Sequence, residues 1–224
     1  MKGLNKINNH ELLRDRIYNI LKNKIIDGDL EEGSKITESE VANLMGVSKT
    51  PVREALKSLA EGGFVTVQRN KRMVIANISL RDIKEVYQIR AVLDGLGARL
   101  AAEKITHKDL AILNKILKKM EGFAKKNDIK GYSKYVNIFQ DLIIKKSNNK
   151  HLETIINNLR EKTARYRMKS LKIEGRLIKS FKEQEKIFKI IATKDQEQIN
   201  IACQQHIQNA LDNILGNKKG NTKK

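Results

Sequence analysis

Two sets of side chains have the types and spacing to do chemistry. Cys203 and His206 stand three residues apart in a helical stretch, so a thiol and an imidazole share one face, as a thiolate nucleophile and its base must. No third group orients them, and the competing reading is a small apolar Cys packed beside a polar His. His10, His107 and His151 lie among polar neighbours near the starts of helical segments, and no Gly-rich phosphate loop is present. Catalysis therefore has little to stand on. The second set is cationic. Lys49, Thr50, Arg53, Lys57 and Ser58 fall on the polar side of one amphipathic stretch, and Arg69-Asn70-Lys71-Arg72 crowds three cations and an amide into four residues. Long cations beside short hydroxyls suit phosphates and guanine edges. A solvated helix face has the same composition, so the surrounding elements must discriminate.

Those elements can be read from periodicity. Leu13, Ile17, Leu21 and Ile25 recur every fourth residue with Ile20 beside them, which predicts a helix over about 10–27, ended by Asp27-Gly28-Asp29. Glu31-Glu32-Gly33-Ser34 makes a turn. Thr37-Glu38-Ser39-Glu40 has capping-box spacing and opens a short second helix carrying Val41, Ala42, Leu44 and Met45, which Gly46 ends. Ser48 is an expected N-cap and Pro51 sits in the first turn of a third helix, where its missing N–H costs little. Val52, Ala55, Leu56 and Leu59 follow i, i+3, i+4, i+7 and point inward, which turns the cationic set outward. Helix, Gly turn and helix is the geometry that lays the later helix across a DNA major groove. Beyond Gly62-Gly63, residues 64–68 and 73–76 alternate as two strands with the basic tetrapeptide at their turn, a wing able to reach a minor groove or flanking phosphates. The combination is far more specific than either part.

The 224 residues and 25.6 kDa allow one or two domains with real cores. With 40% hydrophobic and 32% charged residues the chain is expected to be soluble and helix-rich; no apolar run reaches the roughly 20 residues of a spanning helix. The basic start runs into polar sequence without a secretory core, and one cysteine suits a reducing compartment, so a cytoplasmic protein is expected. Net charge is +19, yet residues 1–76 hold 13 Lys and Arg against 10 Asp and Glu, a net of only +3. The other +16 lies in a Lys-, Ile- and Asn-rich remainder whose usage resembles codon bias. Charge alone does not assign function.

The run Gly46-Val47-Ser48-Lys49-Thr50-Pro51-Val52-Arg53-Glu54-Ala55-Leu56, continued through Glu61-Gly62-Gly63-Phe64-Val65, resembles the winged-helix signature of GntR-type bacterial transcriptional regulators, G-V-S-R-T-P-V-R-E-A-L-x-x-L-x-x-E-G. With the upstream helices the resemblance covers about 11–76. It implies DNA contacts from Lys49, Thr50 and Arg53 on the recognition helix and from Arg69 and Asn70 on the wing, to which the outward face adds Lys57. Lys49 replaces the usual Arg and lacks the bidentate guanidinium fork. Ser39 stands where some relatives use Arg, and Asn70 where the wing often has Gly.

From residue 79 on, helical periodicity is nearly unbroken. Helices are expected over about 79–104, from Thr106, around Tyr132 to Ile143, over 151–172, from a capping box at Ser180-Phe181-Lys182-Glu183 through Ile191, and from Asp195 to about Leu215. Short connections imply antiparallel packing. The expected fold is mainly α: an N-terminal winged helix-turn-helix of three helices plus a β-hairpin over 1–76, an antiparallel six-helix bundle over 77–216, and a disordered tail over 217–224. The bundle resembles the ligand-binding FCD domain of the FadR branch of the same family. Tyr87-Gln88-Ile89-Arg90-Ala91-Val92-Leu93-Asp94 is similar to its Y-x-x-R-x-x-L-E opening, and Phe139-Gln140 with Ser147-Asn148-Asn149 to its F-H and S-G-N.

Many such domains hold a divalent metal on three histidines and a carboxylate or amide. By position the first histidine is Gln140 here, the residue a turn earlier is Val136 (with Asn137 adjacent), the second histidine is Gln184, and His206 remains. Amides are poor ligands for zinc or nickel, so no tightly bound metal and no cofactor is expected. The resemblance implies instead a small-molecule effector, expected to be anionic, held by Gln140, Gln184 and His206 with Arg90 or Arg165 on a carboxylate. The competing reading is that these groups satisfy one another, with Arg90 and Asp94 an intrahelical pair. The expected protein is a homodimeric repressor on pseudo-palindromic double-stranded DNA, not an enzyme. Its rivals are a sequence-tolerant DNA-binding protein with a non-functional pocket, and a small enzyme or metal-handling bundle centred on Cys203 and His206.

Overall fold

Ile17, Leu21 and Ile25 are buried at helical spacing and form the inner stripe of helix α1 (Leu13–Asp27) in a computed structural model that describes residues 12–69 and 72–221. Leu13 and Ile20 belong to the predicted stripe region but lie exposed, Leu13 in the first turn and Ile20 about 100° round from Leu21. Thr37 caps α2 (Glu38–Met45) by accepting the Glu40 N–H at 3.2 Å, and Gly46 ends it at φ +64°, a left-handed conformation in which a side chain would be strained. Helix α3 (Lys49–Glu61) buries Val52, Ala55, Leu56 and Leu59 completely. Ser48 has the extended backbone of an N-cap, but its side chain makes no capping hydrogen bond, contrary to expectation.

Strands β1 (Val65–Val67) and β2 (Met73–Ile75) pair antiparallel in the register Val65 opposite Ile75. The turn segment before α2 does more than reverse the chain. Gly33 N–H donates to Ile75 O at 2.9 Å, Ile75 N–H to Ser34 O at 2.9 Å and Ile36 N–H to Met73 O at 3.1 Å. Backbone bonding of β2 is thereby satisfied on both edges. Periodicity did not show this third, strand-like segment because it is short and polar. Wing residue Asn70, with Lys71, lies outside the described residues.

The described residues up to Asn77 form one compact unit and those from Ile78 on form another. The second contains α4 (Leu80–Lys104), α5 (His107–Lys125), α6 (Ile129–Lys146), α7 (Lys150–Leu171), α8 (Arg176–Thr193) and α9 (Gln196–Asn221). Their starts are encoded locally. Ser79, Asp128, Asn149 and Asp195 side chains each accept a backbone N–H three residues on, and Thr106 with Asp109 completes a reciprocal capping box. Its main core joins Leu113 and Met120 of α5, Tyr132 and Phe139 of α6 and Ile187 and Ile191 of α8. A second cluster sets Ile83 and Tyr87 of α4 and Tyr166 of α7 against Ile207, Leu211 and Ile214 of α9. Among the described residues no helix is long and apolar enough to cross a membrane.

Two boundaries differ from expectation. Ser180 does not open α8; the helix begins a turn earlier, after Gly175 at φ +72°, and buried Ser180 accepts a 3.0 Å hydrogen bond from Tyr132. Ser-x-x-Glu spacing occurs inside helices as well as at their starts, and here the glycine sets the boundary. Helix α9 continues to Asn221, beyond Leu215 and into the segment expected to be a disordered tail; residues 222–224 lie outside the described residues.

Asp109 shows how much one cap carries. Its carboxylate accepts from Lys146 at 2.8 Å and from the Thr106 N–H and hydroxyl at 3.1 and 2.8 Å, which holds its pKa at about 2, below the ordinary 3.8. A carboxyl with a depressed folded pKa adds stability above the unfolded value and loses it as pH falls through the folded one. Thermal melts should show the wild type more stable than Asp109→Asn above pH 4, with the gap closing as pH falls towards 2. A constant gap across that range would exclude this role.

Candidate nucleic-acid interface and effector cleft

On α3, the apolar side is consumed by the core of the first unit, so Lys49, Thr50, Arg53 and Lys57 are presented together to solvent. Ser39 of α2 and Arg69 in the turn after β1 are also exposed. Arg53 is not a loose cation. Its Nε lies 3.0 Å from both carboxylate oxygens of Glu38 and its Nη2 2.9 Å from Oε2, with the Arg side chain still 64% exposed. The bond lowers the Glu38 pKa and raises that of Arg53. A carboxylate fork engaging the Nε side leaves the Nη1 side free, with its direction fixed, to donate to a base edge or phosphate. Glu38, fifteen residues away and at the start of another helix, was not singled out by sequence; its charge in the first turn of α2 was the only signal.

In the second unit, α4, α6, α7, α8 and α9 surround two adjoining clefts. One is lined by Asp94, Gln140, Arg160, Gln184, Cys203 and His206 among others. The other is lined by Tyr87, Arg90, Gln140, Arg167, Arg176 and His206 among others. Four of the five expected pocket residues, Arg90, Gln140, Gln184 and His206, are thus brought together. Arg165 is buried but lines neither cleft. Two residues along a helix is about 200° of rotation, and Arg167 takes the place expected for Arg165. The signal was present: Leu152, Ile156, Arg160, Thr163, Arg167 and Leu171 follow one helical stripe. Arg176, in the first turn of α8, was also not anticipated.

The polar groups partly satisfy one another. Arg90 donates to Asp94 at 3.2 Å, the expected i, i+4 pair, and to Thr163 Oγ1 at 3.3 Å; Arg160 of α7 closes on Asp94 at 2.8 Å. Burial pushes the Asp94 pKa up, but the two guanidiniums outweigh it and hold the carboxyl below its ordinary value. Glu183 receives Arg176 through two bonds of 3.1 and 3.2 Å, His206 Nδ1 at 2.6 Å and Asn209 at 3.0 Å. Burial again opposes ionisation and these partners again prevail. The amide of Gln184 meets His206 Nε2 at 2.8 Å.

The positions that hold a metal in similar domains do not fit one here. Val136 has no donor atom, Gln140 and Gln184 offer neutral amides, and both ring nitrogens of His206 are engaged within the protein. Among the described residues no three His, Cys, Asp or Glu side chains come together as a metal site. Cys203 does not hydrogen-bond His206; burial pushes its thiol up to about 12, so it is protonated at neutral pH.

Comparison with known proteins agrees with both halves of this description. Residues 13–75 match the gntR family of bacterial regulatory proteins, and residues 85–209 match the FCD domain. The chain is 27% identical over 197 residues to the HTH-type transcriptional regulator YdhC of Bacillus subtilis, covering 86% of this chain and 84% of that protein. It is 29% identical over 189 residues to the gluconate operon transcriptional repressor of Bacillus licheniformis, covering 79% and 74%. Its fold is similar to that of Escherichia coli McbR/YncC, with a TM-score of 0.81 at 23% identity over 93% of this chain and all of the other. An exposed cationic recognition helix on a winged-helix core, followed by a six-helix domain that alone matches more than half the chain, places the protein in the GntR family of bacterial transcriptional regulators, in the branch with an FCD domain.

Proposed function

We propose that this regulator is a cytoplasmic, homodimeric repressor that reads a pseudo-palindromic operator and responds to a small anionic metabolite bound in the helical domain. The observation that carries the reading is the exposure of Lys49, Thr50, Arg53 and Lys57 on one face of α3, with Arg53 held in position by Glu38. Lys49, Thr50 and Lys57 supply phosphate and base contacts, Ser39 reaches the backbone from α2, and Arg69 and Asn70 reach it from the wing. One winged helix covers too little duplex for high specificity, and two on related half-sites supply it. Repression is supported by the relative from Bacillus licheniformis, which is a repressor.

The effector acts by binding more tightly to one arrangement of the protein than the other, so it alters DNA affinity and DNA reciprocally alters its own affinity. Arg90, Gln140, Gln184 and His206 supply the binding groups; Arg165, which lines neither cleft, has no part in this reading. Catalysis has no support: the thiol is protonated and the imidazole is engaged elsewhere.

In-vitro selection of bound duplexes should recover a two-fold-related consensus, and recovery of no sequence preference would favour the sequence-tolerant alternative. On that operator, Arg53→Ala should cost about 1–3 kcal/mol and relax discrimination at one base pair; a uniform loss over all sequences would make Arg53 a phosphate contact. Glu38→Gln should lower the ratio of specific to nonspecific affinity, because it frees Arg53 and also removes a negative charge that repels DNA. Sedimentation should find two chains per operator; one chain at saturation would exclude the dimer. Iodoacetamide at pH 7 should leave folded Cys203 unmodified and DNA binding intact, whereas rapid alkylation would refute a protonated thiol.

A further inference from the structure

Helix α4 presents an apolar stripe to water. Among the described residues, α5 to α9 each expose one large apolar side chain, Ile112, Ile138, Ile155, Ile178 and Ile201 in turn, and single exposures of that kind are ordinary. On α4, Ile89 (50% exposed) and Val92 (60%) stand one turn apart, and half-buried Leu96 follows in the next turn. Val92 is the most exposed large apolar side chain described in the second unit. The opposite side of the helix is already consumed by the bundle, which buries Ile83, Tyr87, Arg90, Asp94 and Ala98.

The polar residues of the same stripe are arranged about Val92. Steps of three and four residues put Arg81, Glu85 and Gln88 before it, and Leu96, Arg99 and Glu103 after it, on one side of the helix. Glu85 and Arg99 lie seven residues either side of Val92, Arg81 and Glu103 eleven, and in each pair the charges are opposite. Two copies of α4 packed antiparallel about a two-fold axis at Val92 therefore bring Glu85 level with Arg99 and Arg81 level with Glu103, each twice; a parallel pair sets like charges together. Arg99 is half-buried and makes no ion pair or hydrogen bond among the described residues, and its Nε is shielded from solvent without an acceptor. Glu103 is exposed and likewise unpaired among them, and Glu85 has only Arg81 of its own helix, at 2.9 Å in a solvent-exposed pair.

We infer that the outer face of α4 docks α4 of a second copy of this chain, antiparallel, with Val92 on the two-fold axis, Ile89 beside Leu96 of the other copy, and Glu85 bonded to Arg99 across the seam. The inference rests on the homodimer reading above and deepens it by naming the surface and its register. The apolar centre excludes water, and the flanking charges select the antiparallel orientation and supply Arg99 with its acceptor. On its buried side α4 carries Tyr87, Arg90 and Asp94 of the two clefts. One helix is thus both a cleft wall and the seam between copies, so a shift of it in one protomer bears directly on the other.

The test is sedimentation equilibrium of the full chain without DNA, which gives the dimer dissociation constant. Val92→Asp should weaken the dimer at least about tenfold, because it sets two carboxylates against each other on the axis, whereas Ile112→Asp, at an exposed site on α5, should leave it unchanged. Glu85→Arg and Arg99→Glu should each dissociate more readily than wild type, since each sets like charges level across the seam. Mixed in equal amounts, these two variants should associate as a heterodimer with close to wild-type strength, because every level pair is then opposite in sign. Damage to the fold would not be repaired by mixing, so the rescue separates docking from stability. The inference is overturned if the mixture associates no better than its components, or if Val92→Asp dimerises like wild type; the dimer then uses another face and the homodimer reading survives. A wild type that stays monomeric overturns both and leaves the stripe to a different partner. Operator selection on the same preparations stands or falls separately.

Discussion

The helical domain is organised around charge that has been taken out of water. Moving a guanidinium into a helix bundle is tolerable only if a carboxylate comes with it, and Asp94 and Glu183 do that for three of the four arginines at the clefts. Because Asp94 is on α4 and Arg160 on α7, and because Glu183 of α8 binds His206 and Asn209 of α9, the same bonds that neutralise charge also set how these helices sit on each other. Apolar packing of Phe139, Tyr132 and Met120 would tolerate many small rotations; directed bonds between helices, such as Arg160 to Asp94 and His206 to Glu183, tolerate few. Arg167, the fourth cation, is half-buried and has no carboxylate partner among the described residues.

The first unit solves the opposite problem. There the cations must stay in water and in register, and the core does this by taking every apolar residue of α3, from Val52 to Leu59, so the helix cannot rotate about its axis without exposing one. Glu38 adds the finer constraint. An exposed ion pair contributes little to stability, but this one fixes the direction of a long side chain, and direction is what a base contact requires. Pairing of residues 33–36 with β2 steadies the base of the wing in the same way, by backbone bonds rather than by side chains.

Positions 140 and 184 carry amides rather than imidazoles, and the same clefts are lined by arginines. A metal site concentrates positive charge on an ion held by imidazoles; amides cannot hold the ion, and guanidiniums carry the charge on the chain itself. Gln184 then acts as a partner for His206, fixing the imidazole against Glu183.

How much of this was legible in the sequence follows the range of the forces involved. The faces of α3, the caps at Thr37, Thr106 and Asp195, and the hairpin depend on residues within a few positions of one another, and the sequence by itself determined them. Where local signals coincide they mislead: Ser180 with Glu183 has the letters of a capping box but lies inside α8 because Gly175 reverses the chain a turn earlier. Arg165 and Arg167 are equivalent in composition, and only the direction of the α7 stripe separates them. The pairings of Arg53 with Glu38, Arg160 with Asp94 and Glu183 with His206 span 15 to 66 residues. They were decided by tertiary structure alone, since no local rule chooses which of many carboxylates a cation will meet; packing must first remove water and bring the two together, and by the same act it left Arg167 with none.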